Sequence, residues 1–144
     1  MTHELVDGRF RIGRVIGSEL AYEAYDVTLL ARGLGDAGEP FRWNEARRIR
    51  LRAELDACFF HLHGISAGDI GYILEALQSE SGGLKNNEIA KYGEYRTKRL
   101  VLMEYDRMAT VGLSLDKPLT DGENYTSPLT PPPGHGPRHE GRRQ

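Results

Sequence analysis

Proline placement limits what this chain can fold into. Six of its seven prolines lie at or beyond Pro118, which divides the 144 residues into a body and a tail of different character. The tail, residues 117–144, closes with TSPLTPPPGHGPRHEGRRQ and offers few side chains able to pack a core. Burial of so little apolar surface does not offset chain entropy, so the tail is expected to be disordered and Pro-rich. The Pro131–Pro133 run reads as part of that flexible terminus rather than as a polyproline ligand. What remains is a body of roughly 110 residues, enough for one small domain.

Composition narrows the class. Formal net charge is -2, so the whole molecule is not expected to bind polyanions indiscriminately. Cys58 is the only cysteine, which excludes an intrachain disulfide and points to a cytoplasmic protein. Its neighbours Phe59 and Phe60 suggest a buried thiol without an activating base. No apolar run approaches the length of a membrane span and no signal peptide opens the chain, so no membrane partner is expected.

Periodicity predicts a mostly helical domain of about four helices with one short N-terminal strand. Arg9 to Ile16 alternates basic and apolar residues, as a short edge strand does. Gly17-Ser18 then offers a turn and an N-cap for a helix from Glu19 to Leu34, in which Leu20, Ala24, Val27 and Ala31 recur at helical steps. The longest helix should run from Asn44, an N-cap residue, to His63, with Gly64 as its stop. Leu51, Leu55, Cys58 and Leu62 fall on one of its faces. Ser66, three residues before Asp69, resembles a capping box for a helix that turns Ile70, Ile73, Leu74 and Leu77 inward. Gln78 to Asn87 reads as a polar loop, and Tyr92 to Ala109 as a terminal helix whose Leu102, Tyr105 and Ala109 share a face.

Positive charge is gathered in two runs. FRWNEARRIRLR, from Phe41 to Arg52, carries Arg47, Arg48 and Arg50 on one helix; KYGEYRTKRL, from Lys91 to Leu100, carries Lys91, Arg96, Lys98 and Arg99. Cations interleaved with aromatic rings on a firm support are what a phosphate-binding surface needs. These seven residues are therefore the candidate contacts to the backbone of double-stranded DNA. Trp43 is expected to pack on the helix core rather than stack on a base. The acids are scattered, and Arg50 with Glu54 and Arg52 with Asp56 read as ordinary surface pairs one turn apart.

Other motifs carry less. His61 and His63 in HLHG are two residues apart, which on a helix turns them about 200° from each other and prevents chelation of one ion. Asp7 to Ser18 opens like a protein kinase, but Ser18, Glu19 and Leu20 stand where the glycine spacing and the loop over the phosphates are needed, and no HRD or DFG sequence follows.

Four blocks in order resemble the C-terminal region of adenine-specific DNA methyltransferases of type IIG restriction–modification enzymes and related phage-defence systems. They are Tyr22-Glu23-Ala24-Tyr25-Asp26, Pro40-Phe41-Arg42-Trp43, Arg52-Ala53-Glu54-Leu55-Asp56 and the segment Tyr92 to Arg99. The resemblance runs from Glu19 to Met108, while residues 1–18 and the loop Gln78–Asn87 depart from the family pattern. In such enzymes an earlier domain holds S-adenosylmethionine on a glycine-rich loop and the flipped adenine on an Asn-Pro-Pro-Tyr type motif. Neither motif occurs here, so no catalytic residue and no cofactor carries over to this chain. The resemblance implies a diverged segment 1–18, a helical domain 19–116 and the tail 117–144. It further implies a truncated or split part of such an enzyme, which contacts the DNA backbone or gives structural support and transfers no methyl group alone. The competing expectation is a protein-interaction subunit that docks onto a separate methyltransferase core through its apolar helix faces.

Overall fold

The computed structural model of the protein describes residues 15–76, 83–110 and 127–141. The fold is mostly helical, as the periodicity predicts. In chain order the helices are α1 (residues 15–21), α2 (Thr28–Gly33), α3 (Glu45–Leu62), α4 (Ala67–Ala76), α5 (Leu84–Tyr92) and α6 (Arg96–Thr110). The described residues form no strand; their one β-type contact is an antiparallel bridge between Phe41 and Arg138.

Helix α3 is bounded as its sequence dictates. Asn44 sits in extended conformation and its Oδ1 accepts from the Arg47 amide at 3.0 Å. At the other end Gly64 adopts the left-handed conformation (φ 66°). Its amide donates to the His61 carbonyl at 3.1 Å and the Ile65 amide to the Phe60 carbonyl at 2.9 Å, the paired bonds of a Schellman stop. Ser66 caps α4, its hydroxyl accepting from the Asp69 amide at 3.3 Å. The expected Ile70 and Leu74 point inward from α4, while Leu77 lies outside the described residues.

The core lies mainly between α3 and α6, with α4 and α5 also packed on α6. One cluster joins Ile16, Leu51, Ala57, Cys58 and Met108; a second joins Ala53, Ile70, Leu74, Leu100 and Val101. Tyr105 packs against both. Its ring stacks on His61 at 3.8 Å, its hydroxyl donates to the Ile65 carbonyl at 2.6 Å, and its own carbonyl accepts from His61 Nε2 at 2.9 Å. His61 is thereby a packing residue, and His63 lies against the Phe59 ring instead. A third cluster, Tyr22, Ala31 and Phe41, gathers the chain between α1 and α3.

The structure corrects several local expectations. Of the predicted strand Arg9–Ile16, residues 9–14 lie outside the described residues, and Val15 and Ile16 belong to α1. Ile16 is fully buried against Leu51 and Met108, and Gly17 and Ser18 continue the helix rather than turn the chain. The expected helix Glu19–Leu34 breaks after Ala21 and resumes through a 3-10 turn, Tyr25–Val27. Tertiary bonds explain the break. Tyr22 is buried, with its hydroxyl bonded to Thr28 Oγ1 and donating to the Gly38 carbonyl, and its carbonyl accepts from the Phe41 amide at 2.7 Å. In the predicted loop Gln78–Asn87, residues 78–82 lie outside the described residues and Leu84–Asn87 are the start of α5.

KYGEYRTKRL is a corner rather than the first turns of one helix. Gly93 ends α5 in the left-handed region (φ 76°), its amide donating to the Ile89 carbonyl at 2.9 Å. The buried Glu88 carboxylate then accepts from the Thr97 amide at 3.0 and 3.2 Å, which caps α6.

In the tail, residues 117–126 and 142–144 lie outside the described residues, whereas residues 127–141 are seated on the body. Polar contacts hold this strap where apolar burial alone is too small. Arg47 donates to the Pro131 and Pro132 carbonyls, the Gly134 amide donates to Glu19, and Arg42 and His139 amides exchange bonds with Pro137 and Pro40 carbonyls.

Replacing Gly93 with alanine leaves no clash but forces a side chain into the left-handed region, so it should cost about 1 kcal/mol. Urea unfolding checks this: a lower midpoint is expected, and an unchanged one would contradict the corner.

Candidate functional site

The seven predicted cations are spread over both ends of the body and most are engaged with acids. Arg47 is buried; its guanidinium grips the Glu19 carboxylate through Nε and Nη2 and donates to Pro131 and Pro132 at 2.6 and 3.1 Å. Its guanidinium is thus committed to the fold's own carboxylate and carbonyls rather than turned to solvent as a phosphate contact. Arg48 pairs with Glu23, donates to the Leu20 carbonyl at 2.9 Å and lies 4.1 Å over the Trp43 ring. Trp43 is 61% exposed, so it supports that cation on the surface instead of capping the core.

Arg50 is more open, its Nη1 4.0 Å from Glu104 Oε1. The expected surface pair of Arg50 with Glu54 does not form, because Glu54 faces the interior. At the other end Lys98 and Lys85 both hold Glu75, at 3.0 and 2.7 Å, and their hydrogen bonds keep its carboxyl below the ordinary range. Arg99 clasps Glu94 at 2.8 and 3.0 Å, lowering the Glu94 carboxyl and raising its own guanidinium. Arg96 lies 3.6 Å and Lys91 5.2 Å over the Tyr92 ring, with Arg96 Nε 4.0 Å from Glu88. The N-terminus of α6, where an anion would otherwise gain most, is filled by Glu88.

One buried charge cluster escapes sequence reading. Glu54 from α3 and Glu104 from α6 are both fully buried, and Arg107 joins them, its Nη2 2.7 Å from Glu104 and 3.3 Å from Glu54. Ser127 of the strap donates to Glu54 at 2.6 Å. The Glu104–Arg107 spacing is the only sequence signal for it; Glu54 shows none. Its carboxylates pair the two helices through Arg107, with Glu104 Oε1 accepting no hydrogen bond among the described residues, and no group of three metal-ligating side chains occurs there.

One open feature among the described residues is apolar. A groove of about 880 Å³ lies between α1, α2, α3 and the strap, walled by Leu30, Leu34, Leu55, Cys58, Phe59 and Leu62. Leu30, Leu34 and Phe59 are each more than half exposed, which is unusual for neighbouring large apolar side chains. At its polar end Ser18 donates to Asp36, which also takes both terminal nitrogens of Arg138 at 3.1 and 3.2 Å. The sequence pattern places Leu20, Ala24, Val27 and Ala31 on the apolar face of one helix and gives Leu30 and Leu34 no role; the groove depends on the break after Ala21, which spacing does not disclose.

Comparison with protein-family models, with curated proteins and with solved structures gives no match for this chain. No helix among the described residues is long and apolar enough to cross a membrane.

Burial pushes the Asp36 carboxyl up, but the Gly38 amide, Arg138 and the Ser18 hydroxyl outweigh it and leave Asp36 below its ordinary value. Its folded value is thus the lower one, so its stabilisation is complete above the unfolded value of 3.8 and is lost as pH falls through the folded value. The stability difference between the native chain and Asp36→Asn should therefore be constant from neutral pH to about pH 5 and shrink below pH 4 in denaturant titrations. A difference that does not shrink in acid would contradict the Asp36–Arg138 pairing.

Proposed function

We propose that this chain is a helical protein-docking module without catalysis of its own, which binds an apolar segment of a separate protein in the α1–α2–α3 groove. The observation that carries this reading is the cluster of Leu30, Leu34 and Phe59, exposed around a groove of about 880 Å³. Its volume and apolar walls suit side chains of a partner helix, and burial there would gain roughly 25 cal/mol for each Å² covered. The resemblance to the C-terminal region of adenine-specific DNA methyltransferases supplies the partner: a methyltransferase core of a restriction–modification or phage-defence system.

A second reading, contact with the DNA backbone, rests on a narrower observation: Lys91 and Arg96 over the Tyr92 ring at an exposed corner. Arg99, Lys98 and Arg48 would have to leave their carboxylates to reach phosphates. The affinity this corner offers is accordingly small.

Co-elution on a sizing column with a separately expressed methyltransferase core of the resembled class tests the docking reading. The native chain should co-elute, and Leu34→Asp with Phe59→Asp should abolish co-elution while the helical circular dichroism signal stays. Duplex DNA anisotropy at low salt separates the second reading: docking predicts weak binding whose salt slope is unchanged in an Arg96, Lys98, Arg99 triple alanine variant. Tight binding whose slope falls by about 0.9 for each cation removed would favour DNA contact instead.

A further inference from the structure

The surface beneath the strap has the chemistry of a peptide-recognition site, and it reads its present occupant residue by residue. Arg47 donates to two successive carbonyls, Pro131 and Pro132. The segment turns as it passes the fork: the His135 amide donates to the Pro132 carbonyl at 3.0 Å, and Gly134 sits in the left-handed region (φ 84°). Glu19 accepts from the Gly134 amide at 2.7 Å, which a proline at that position would not supply.

Gly136 is buried over the same ion pair. A Cβ at Gly136 would fall on the Glu19 carboxylate and within 2.7 Å of Arg47 Nε, so any larger residue is rejected. The next residues pair with the Pro40–Arg42 segment through a single antiparallel bridge, Phe41 with Arg138. The Arg42 amide donates to the Pro137 carbonyl and the His139 amide to the Pro40 carbonyl, each at 2.8 Å.

Arg138 then fills a made-to-measure pocket. Its guanidinium lies 3.8 Å over the Phe41 ring, donates to both Asp36 oxygens and donates to the Glu39 carbonyl at 2.6 Å. The recognised pattern is therefore Pro-Pro-x-Gly-x-Gly-x-Arg, read by a fork, a carboxylate, a steric stop, an antiparallel bridge and an arginine pocket. Main-chain hydrogen bonds at an exposed edge combined with a side-chain pocket are also how proteins hold peptides in trans.

We propose that this surface is a recognition site for a turned Pro-Pro-x-Gly-x-Gly-x-Arg segment of another protein, and that the chain's own residues 131–138 hold it closed in cis. The occupant's chemistry is defined because this chain supplies one copy of it. Tethering gives that copy an effective concentration in the millimolar range, so an incoming segment competes only where the strap is weakened or its own concentration is high. Gly134 and Arg138 also wall the apolar groove, so a segment bound in trans would rebuild that wall from outside. The proposal does not depend on what the groove binds.

The test uses the full chain carrying Gly136→Val, which unseats the strap, and a fluorescent synthetic peptide of residues 127–141 with the native sequence. Anisotropy should show the peptide bound at least about tenfold more tightly by the Gly136→Val chain than by the native chain, whose site is filled. Peptides carrying Gly136→Val or Arg138→Ala should lose that binding. Equal affinity for both chains, no binding to the variant chain, or equal binding of the substituted peptides would each overturn the proposal. Should Gly136→Val reduce the helical circular dichroism signal, the Arg138→Ala chain, which frees only the arginine pocket, replaces it under the same criteria.

Discussion

The Arg47–Glu19 ion pair is buried where three segments of the chain meet, and each depends on it. Glu19 belongs to α1, Arg47 to the first turn of α3, and the carbonyls and amide that complete their hydrogen bonding belong to the strap. Desolvating two charges costs several kcal/mol each, and their attraction repays it only when the remaining donors and acceptors are satisfied. Here Arg47 makes four hydrogen bonds, two of them to strap carbonyls. The strap is thus what makes the buried pair tolerable, and the pair is what seats a strap too poor in apolar residues to seat itself. Loss of either partner leaves an uncompensated buried charge, a cost of roughly 3–5 kcal/mol.

A second buried network joins the long helices less completely, since Glu104 Oε1 accepts no hydrogen bond among the described residues. Glu54 and Glu104 face each other across the α3–α6 interface with Arg107 holding both and Ser127 tying the start of the strap to Glu54. The interior of this small body is therefore specified by charge as well as by packing. That bears on function: the basic runs look like a nucleic-acid surface in the sequence, yet much of their charge is matched inside the protein or along its own helices. The unmatched feature is apolar, the groove bordered by Leu30, Leu34 and Phe59.

What the sequence discloses follows from how local each signal is. Asn44, Gly64 and Ser66 act through bonds to residues within five positions, so the bounds of α3 and α4 are legible from spacing alone. The helix break after Ala21 is not, because it depends on Tyr22 reaching Gly38 and Phe41. Gly93 sits in plain view, but a single glycine in a helical pattern is ambiguous until its φ is known. The strap is the deepest miss: composition measures apolar burial, and its contacts are backbone groups met by charged side chains more than 80 residues away. In the basic run, Arg47 and Arg48 are neighbours in sequence with opposite fates, one inside and one out, which follows from the helical turn between them.

Hydrogen exchange of the strap amides tests this account most directly, with Arg47→Met compared against the native chain. The clasp predicts that the Gly134 and His139 amides lose their protection in Arg47→Met, while amides of α3 and α6 away from residue 47 keep theirs. Strap protection that survives the substitution unchanged would contradict it.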